Sequence, residues 1–256
     1  MPPLLSTVLV SLAFDVGRYV LVAVPAFFVF WVWLGPRLRR RWLRPSPPEA
    51  ASTRREIAYS ASTVVVFALA SVGVYLGAGA GIFRLYTDVA DHGLPYLVGS
   101  TIFLVVLQDT YFYFTHRAMH HRLLFRTMHR VHHLSRHTSP FTAYAFSPLE
   151  AVVHAAFVPL VLLVVPLHPA ALFVFLGFMI LRNVLGHLAI ELYSPGFVTS
   201  RLGRAHTTTT HHALHHARPG QNFGLYFTFW DRALGTTDPT YEARFEAAAG
   251  RGRVAP

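Results

Sequence analysis

Histidine is the residue type in this chain best placed to do chemistry, and it falls into three tight clusters. His116 and His120 form the first, with His121 adjacent. His129, His132 and His133 form the second, and His211, His212, His215 and His216 the third. A lone His187 ends an apolar run between the last two. On a helix, residues i, i+3 and i+4 share a face. His116 and His120 therefore project together, as do His129, His132 and His133, and again His212, His215 and His216. Three short helices meeting in one place would converge eight imidazoles, with His187 as a ninth. A mononuclear site rarely takes more than about four protein ligands, so nine point to two metal ions. Imidazole suits zinc, copper, iron and nickel alike, and spacing alone does not choose among them.

The rest of the sequence narrows the chemistry by what it lacks. With no cysteine among 256 residues, thiolate haem, iron–sulfur clusters, zinc ribbons and cysteine nucleophiles are excluded. No haem, flavin or nicotinamide motif is present. No histidine is followed by glutamate, so the HExxH pattern of a zinc hydrolase is missing. At 100° per residue, Asp109, Tyr113, His116 and His120 fall within about 60° of one another on a helix. Asp109 is thus aimed at the histidine interior, either accepting from a ligand imidazole N–H or pairing with a buried cation such as Arg182. His137 and His206 are further candidates to stand behind the ligands. His92, His154 and His168 read as loop, core and turn residues. Arg122, Arg126 and Arg130 would share the face of His129 and His133 on one straight helix, which predicts a break near 122–126.

The elements that must hold these histidines belong to a membrane. Only 13% of residues are charged against 53% hydrophobic, where a soluble domain carries about 25% charge. Apolar stretches over roughly 8–34, 60–83, 94–115 and 169–190 approach the length of a bilayer crossing. A shorter one at 151–166, interrupted by Pro159 and Pro166, makes a hairpin with the last or re-enters partway. Asp15 and Arg18 interrupt the first stretch and sit three apart, in reach of each other. The net charge of +10 comes entirely from arginine. Seven arginines (37, 39, 40, 41, 44, 54 and 55) lie between the first two spans, as in a cytoplasmic loop facing anionic headgroups, not a nucleic-acid surface. With that loop in the cytoplasm, His116, His187 and the 206–216 region all land on the same side at one depth. The expected fold is an all-α integral-membrane bundle whose cytoplasmic, histidine-rich helical cap holds the metals.

With these motifs laid out, the chain resembles the fatty acid hydroxylase/sterol desaturase superfamily. DTYFYFTHRAMHH and LFRTMHRVHH are similar to its first two histidine boxes, and HHALHHARPGQNFGLYFTFWDRALGT to its last box and tail, with Asn222, Gly224, Trp230, Asp231 and Gly235. The segment SPFTAYAFSPLE (139–150) is most similar to the sterol C-5 desaturase branch, although Ser147 and Asn183 stand where relatives carry histidine. The resemblance implies a di-iron centre with His116, His120, His129, His132, His133, His187, His212, His215 and His216 as ligands. Behind them it places Asp109, Asn183, His211 and Asn222. It further implies O2 as co-substrate, hydroxylation or desaturation of a lipid C–H bond, and electrons from a separate carrier, a ferredoxin or a cytochrome b5-like protein. Substrate is expected to enter along the third and fifth spans. The expected organisation is an N-terminal membrane region at 1–93, a catalytic domain at 94–237 and a weakly ordered tail at 238–256. Two rival readings remain at this stage, a histidine-rich metal transporter and a membrane zinc hydrolase. A transporter would place its histidines near mid-bilayer.

Overall fold

The computed structural model describes residues 4–250; the first three residues of the expected membrane region and the last six of the expected tail lie outside them. Among the described residues the fold is all helical, with only isolated β-bridges besides. Helix α1 (Leu4–Phe27) runs on as a π-helical turn, Phe28–Trp33. It is followed by α2 (Ala50–Gly79) and α3 (Leu94–Met119). Next come α4 (Pro148–Ala155), α5 (Phe157–Leu162) and α6 (Pro169–Gly186). Helices α7 (Thr209–Ala217) and α8 (Tyr241–Gly250) complete the set.

Four segments are long and apolar enough to cross a membrane, namely Leu4–Trp33, α2, α3 and α6. Their outer faces leave Leu21, Leu69, Ile102 and Phe173 at 60–75% exposure, a belt suited to lipid. The chain is therefore a multi-pass membrane protein. Helix α2 begins ten residues before the expected start because its polar first turns have partners. Glu56 accepts from Ser135 and Ser139 hydroxyls at 2.7 and 2.6 Å, so those turns pack on the loop after the second histidine cluster. Asp15 and Arg18 do pair, and Ser71 Oγ reaches the same carboxylate at 3.4 Å.

The short apolar run crosses the bundle too. Pro159 has no N–H to offer the carbonyl of Ala155, which explains the break between α4 and α5. The two helices together still cover about 22 Å at 1.5 Å per residue. At the end remote from the histidines, backbone bonds from Arg84 to Leu162 and from Leu167 to Arg84, both 2.9 Å, lock this piece to the loop between α2 and α3. This piece, shorter than the four long spans, leads back into α6 through the turn at 163–168.

The arginine-rich loop is only partly a solvated face. Arg37, Arg39, Arg40 and Arg54 are exposed. Arg44 is buried and donates to the carbonyls of His137 and Thr138 at 2.9 and 3.0 Å, and Arg41 donates to Leu192 and Tyr193 carbonyls. Residues 241–250, expected as weakly ordered tail, instead form α8. Its Tyr241, Phe245 and Ala249 bury against Val198, giving the stretch an apolar face of its own.

Candidate metal centre

The predicted break falls where the charges demand it. Helix α3 ends at Met119, a turn follows, and Phe125–Met128 and Arg130–His133 are separate single helical turns. Arg122, Arg126 and Arg130 thereby point to solvent while His129 and His132 are buried. On the third cluster, Thr208 caps α7 by accepting from the His211 N–H at 3.2 Å, and buried Glu191 accepts from both the N–H and hydroxyl of Thr210. The helix is thus fixed at its N-terminus before it presents any imidazole.

All nine histidines singled out from the sequence come together, in two groups. His116, His120, His129, His133 and His215 form one, and His132, His187, His212 and His216 the other; within each, one ring nitrogen per residue lies within 4.8 Å of all the rest. The i,i+4 pairs 116/120, 129/133 and 212/216 each stay together. His132 and His215, one residue before the close of their clusters, cross to the opposite group. The second and third clusters therefore each serve both groups.

The spacing is that of ligands. In the five-histidine group the Nε2 atoms of His116 and His129 are 2.9 Å apart, and His215 Nε2 lies 3.1 Å from those of both His120 and His133. In the four-histidine group His187 Nε2 lies 3.1 Å from His132 and 2.8 Å from His212, with His216 a further 3.1 Å from His212. Imidazoles bound at about 2.1 Å with right angles between them stand about 3.0 Å apart. Four rings also have their other nitrogen held. His116 Nδ1 donates to the Phe223 carbonyl (2.9 Å), His129 to Glu150 Oε1 (2.7 Å), His187 to the Asn183 carbonyl (2.8 Å) and His215 to the Gln221 carbonyl (2.7 Å). A proton fixed on Nδ1 leaves the Nε2 lone pair free and turned inward, as metal ligation requires. Both groups therefore fit a pair of imidazole-bound metal ions.

Burial reinforces this. It pushes the pKa of His129, His132, His133, His212 and His216 down from the ordinary histidine value, and the neighbouring imidazoles push the same way. His120 falls to about 3, and His187 and His215 to about 4, again mainly through desolvation. These rings are neutral at physiological pH, so a cation meets lone pairs and not protons.

The residues expected behind the ligands have other tasks. Asp109 neither accepts from an imidazole nor pairs with Arg182. Its Oδ1 takes the backbone N–H groups of Tyr226 and Phe227 at 2.7 and 3.1 Å, because the 222–228 loop folds back across α3. Arg182 instead donates to Thr207 and Tyr226. The Asn183 amide donates to the Ala143 carbonyl at 2.7 Å, so its backbone, not its side chain, touches a ligand. His211 Nε2 sits 3.3 Å from Asp231 Oδ2, and Asn222 bridges the His211 carbonyl and the Asp238 N–H. Burial works to raise the Asp231 carboxyl, but His211, Thr236 and the Gly224 N–H outweigh it and hold it below the usual carboxylate range. That carboxylate also takes the Phe223 N–H at 2.8 Å, and so braces the carbonyl that orients His116. A Cβ on Gly224 would lie 2.4 Å from the Phe227 carbonyl oxygen, which is why the loop needs glycine there. His137 is exposed, and His206 bonds the Leu202 carbonyl beside Phe227, away from both groups.

Sequence reasoning missed three buried carboxylates, Glu56, Glu150 and Glu191. Each clamps a histidine-bearing segment, and Glu150 reaches a histidine directly. The available signal was a lone acid opening an apolar run at Pro148–Leu162, where an unpaired charge is costly.

A family model described as fatty acid hydroxylase matches residues 101–236. The chain belongs to that family. Among curated relatives of this fatty acid hydroxylase family member, lathosterol oxidase of Rattus norvegicus is 31% identical over 71% of this chain and 60% of its own length. A Delta(7)-sterol 5(6)-desaturase of Aspergillus fumigatus is 27% identical over 74% of this chain and 66% of its own. A putative methylsterol monooxygenase of Dictyostelium discoideum is 29% identical over 59% and 55%. The chain thus spans about three fifths of the length of the curated relatives it matches. No solved structure matches it.

Proposed function

We propose that this protein is a membrane-bound, non-haem di-iron oxidoreductase that uses O2 to hydroxylate or desaturate an unactivated C–H bond of a sterol-type lipid. The observation that carries this reading is the convergence of nine neutral imidazoles, seven of them buried, into groups of five and four, in a chain of the fatty acid hydroxylase family. The nine histidines are the iron ligands. Sterol chemistry is supported by the printed names of the relatives. Bound there, the two irons supply the activation of O2 and the oxidising power that removes hydrogen from the lipid.

The chain's own residues do the rest. Glu150, and the carbonyls of Phe223, Asn183 and Gln221, hold four rings in the ligating tautomer. The 139–147 loop, buried throughout, roofs the site from the α1–α2 side and keeps water out. Electrons come from a separate carrier, a ferredoxin or a cytochrome b5-like protein. The exposed Arg122, Arg126 and Arg130 around the second cluster suit an acidic docking face. The histidine end faces the cytoplasm, on the strength of the exposed arginines between α1 and α2. A transporter would spread its ligands along a mid-bilayer path, and these are gathered at one end of the bundle.

The test is metal content of detergent-purified protein, with Mössbauer spectra after iron-57 loading. About two irons per chain, falling to about one on His132→Ala, are expected, followed by an oxidised lipid product. Zinc alone after iron-replete expression would sink the reading.

A further inference from the structure

Below the histidines, a cavity of about 360 Å³ opens among helices α1 to α6, within the range of about 300–1,000 Å³ typical of ligand sites. Its walls are mostly apolar, with Phe67, Phe157 and Leu172 among them, yet Asp15, Arg18 and Gln108 also line it. A groove of about 400 Å³ between α1 and α6 shares Phe14, Arg18 and Phe173 with this cavity. Leu21 and Phe173, both on the groove, are 75% and 66% exposed on the lipid-facing surface. The entry seam therefore lies between α1 and α6. Of the two helices expected to guide entry, α6 lines this seam, while on the α3 side Leu104 and Phe175 belong to one packed cluster. Arg18 stands where groove and cavity meet.

Arg18 is an unusual wall residue. Its side chain is 7% exposed and its guanidinium lies 5.6–5.8 Å from the rings of Phe14, Phe67 and Tyr144, yet among its nitrogens only Nη2 makes a hydrogen bond, on Asp15; Nε and Nη1 are buried without an acceptor. Across the cavity lining, Gln108 is 3% exposed and its Oε1 has no donor. In a bilayer no water makes good such losses, so polar groups kept there point to function. The cavity thus offers unused N–H donors and an unused carbonyl inside apolar walls. A hydroxyl is the smallest group that accepts from one and donates to the other. A carboxylate would add negative charge beside Asp15 and leave the Gln108 oxygen unserved.

The opposite wall leads to the metals. His154 lines the cavity, and its Nε2 lies 3.6 Å from the Glu150 Oε1 that takes the His129 proton. We propose that Arg18 and Gln108 form a polar subsite for the hydroxyl of a monohydroxylated, otherwise apolar lipid, which enters past Phe14 and Phe173 and lays its body toward His154. This rests on the lipid-oxidation reading above and adds what that reading lacks, a handle that sets which carbon faces the irons.

The test is binding, read without turnover. Iron-loaded protein in detergent is titrated with a diazirine-bearing sterol carrying a free hydroxyl, with its methyl ether and with the deoxy compound. Hydrogen bonds to a charged donor are strong enough for the free hydroxyl to bind at least about tenfold tighter than the deoxy probe. The ether, which accepts but cannot donate, falls between. Photolabel is expected on peptides containing Phe14 or Phe173. Gln108→Leu erases the difference between hydroxyl and ether. Arg18→Met, made together with Asp15→Asn so that no lone charge is left buried, erases the rest. If the double variant fails to fold, the three probes and Gln108→Leu still decide. Equal binding of all three probes to the unaltered protein, label elsewhere, or an unchanged preference in Gln108→Leu overturns the subsite. A protein with two irons and no hydroxyl preference defeats only the subsite. One that prefers the hydroxyl but takes up no iron defeats the oxidation reading and leaves the subsite standing.

Discussion

The two histidine groups are built from the same clusters but held differently. In the five-histidine group three rings have Nδ1 anchored, by Glu150 and by the Phe223 and Gln221 carbonyls, while His120 and His133 are half-buried. In the four-histidine group every ring is buried, but only His187 has its Nδ1 anchored; His132 and His216 have no Nδ1 partner. One group is tightly oriented and partly wet, the other dry and held by packing. An ion held in the first would have five imidazoles around it, and one held in the second only four. The four-histidine group is therefore where loss of one ligand does most damage.

That inequality is the first thing to break. His212→Ala leaves three imidazoles in its group, whereas His120→Ala leaves four in the other. Iron content is expected to fall from about two per chain to about one in His212→Ala and to stay near two in His120→Ala. Equal loss in both variants would mean that the groups do not bind separately.

Acid offers the next largest effect. His187 and His215, one from each group, are both pushed to about 4 by burial. A histidine with a folded pKa below its unfolded value of about 6.5 binds its proton only on unfolding, so it withdraws stability as pH drops. For iron-free protein each of the two is expected to cost up to about 1.4 kcal/mol per pH unit between pH 6.5 and 4. His187→Gln and His215→Gln should each flatten the thermal melting-versus-pH curve by about the same slope. With iron bound the curve should be flat well below 6.5. A slope reduced by only one of the two would show that burial holds only that ring neutral in the iron-free fold.

Glu150 sharpens the contrast in anchoring. Removing its carboxylate in Glu150→Ala frees His129 Nδ1, and losses of a ligand's supporting partner run to about 10–100-fold in metal affinity. Chelator competition should show that loss confined to one of two irons, with Glu150→Gln, which keeps an acceptor, milder. If both irons leave together, Glu150 supports the whole cap and not one group.

Much of this was legible in the sequence, and the boundary is physical. The spans, the chain break before Phe125 and the histidines that meet follow from local periodicity and charge, which act within a few residues. How the rings divide does not. Whether His132 joins His133 or leaves it depends on the angle at which the second and third clusters cross, a tertiary fact. Asp109 was placed on the correct face, but its partners are backbone N–H groups 117 and 118 residues away. Glu56, Glu150 and Glu191 escaped for the same reason, since each looks like an ordinary helix or loop acid until its distant partner is in place.

The smallest expected effect lies in the backbone beside each group. Ala189, two residues after His187, has φ 57°, and Asn222, just before Phe223, has φ 59°. Left-handed backbone costs a Cβ-bearing residue about 1–2 kcal/mol, and asparagine tolerates it better than alanine. Asn222 also bonds the His211 carbonyl and the Asp238 N–H through its amide, whereas Ala189 has no side chain to offset its strain. Ala189→Gly should therefore leave stability unchanged or raise it by up to about 1 kcal/mol. Asn222→Gly should lower it by about 1 kcal/mol through the lost bonds. Denaturation of iron-free protein reads both. Should Ala189→Gly destabilise instead, the strained turn is fixing His187 in place, and the four-histidine group is held by more than packing.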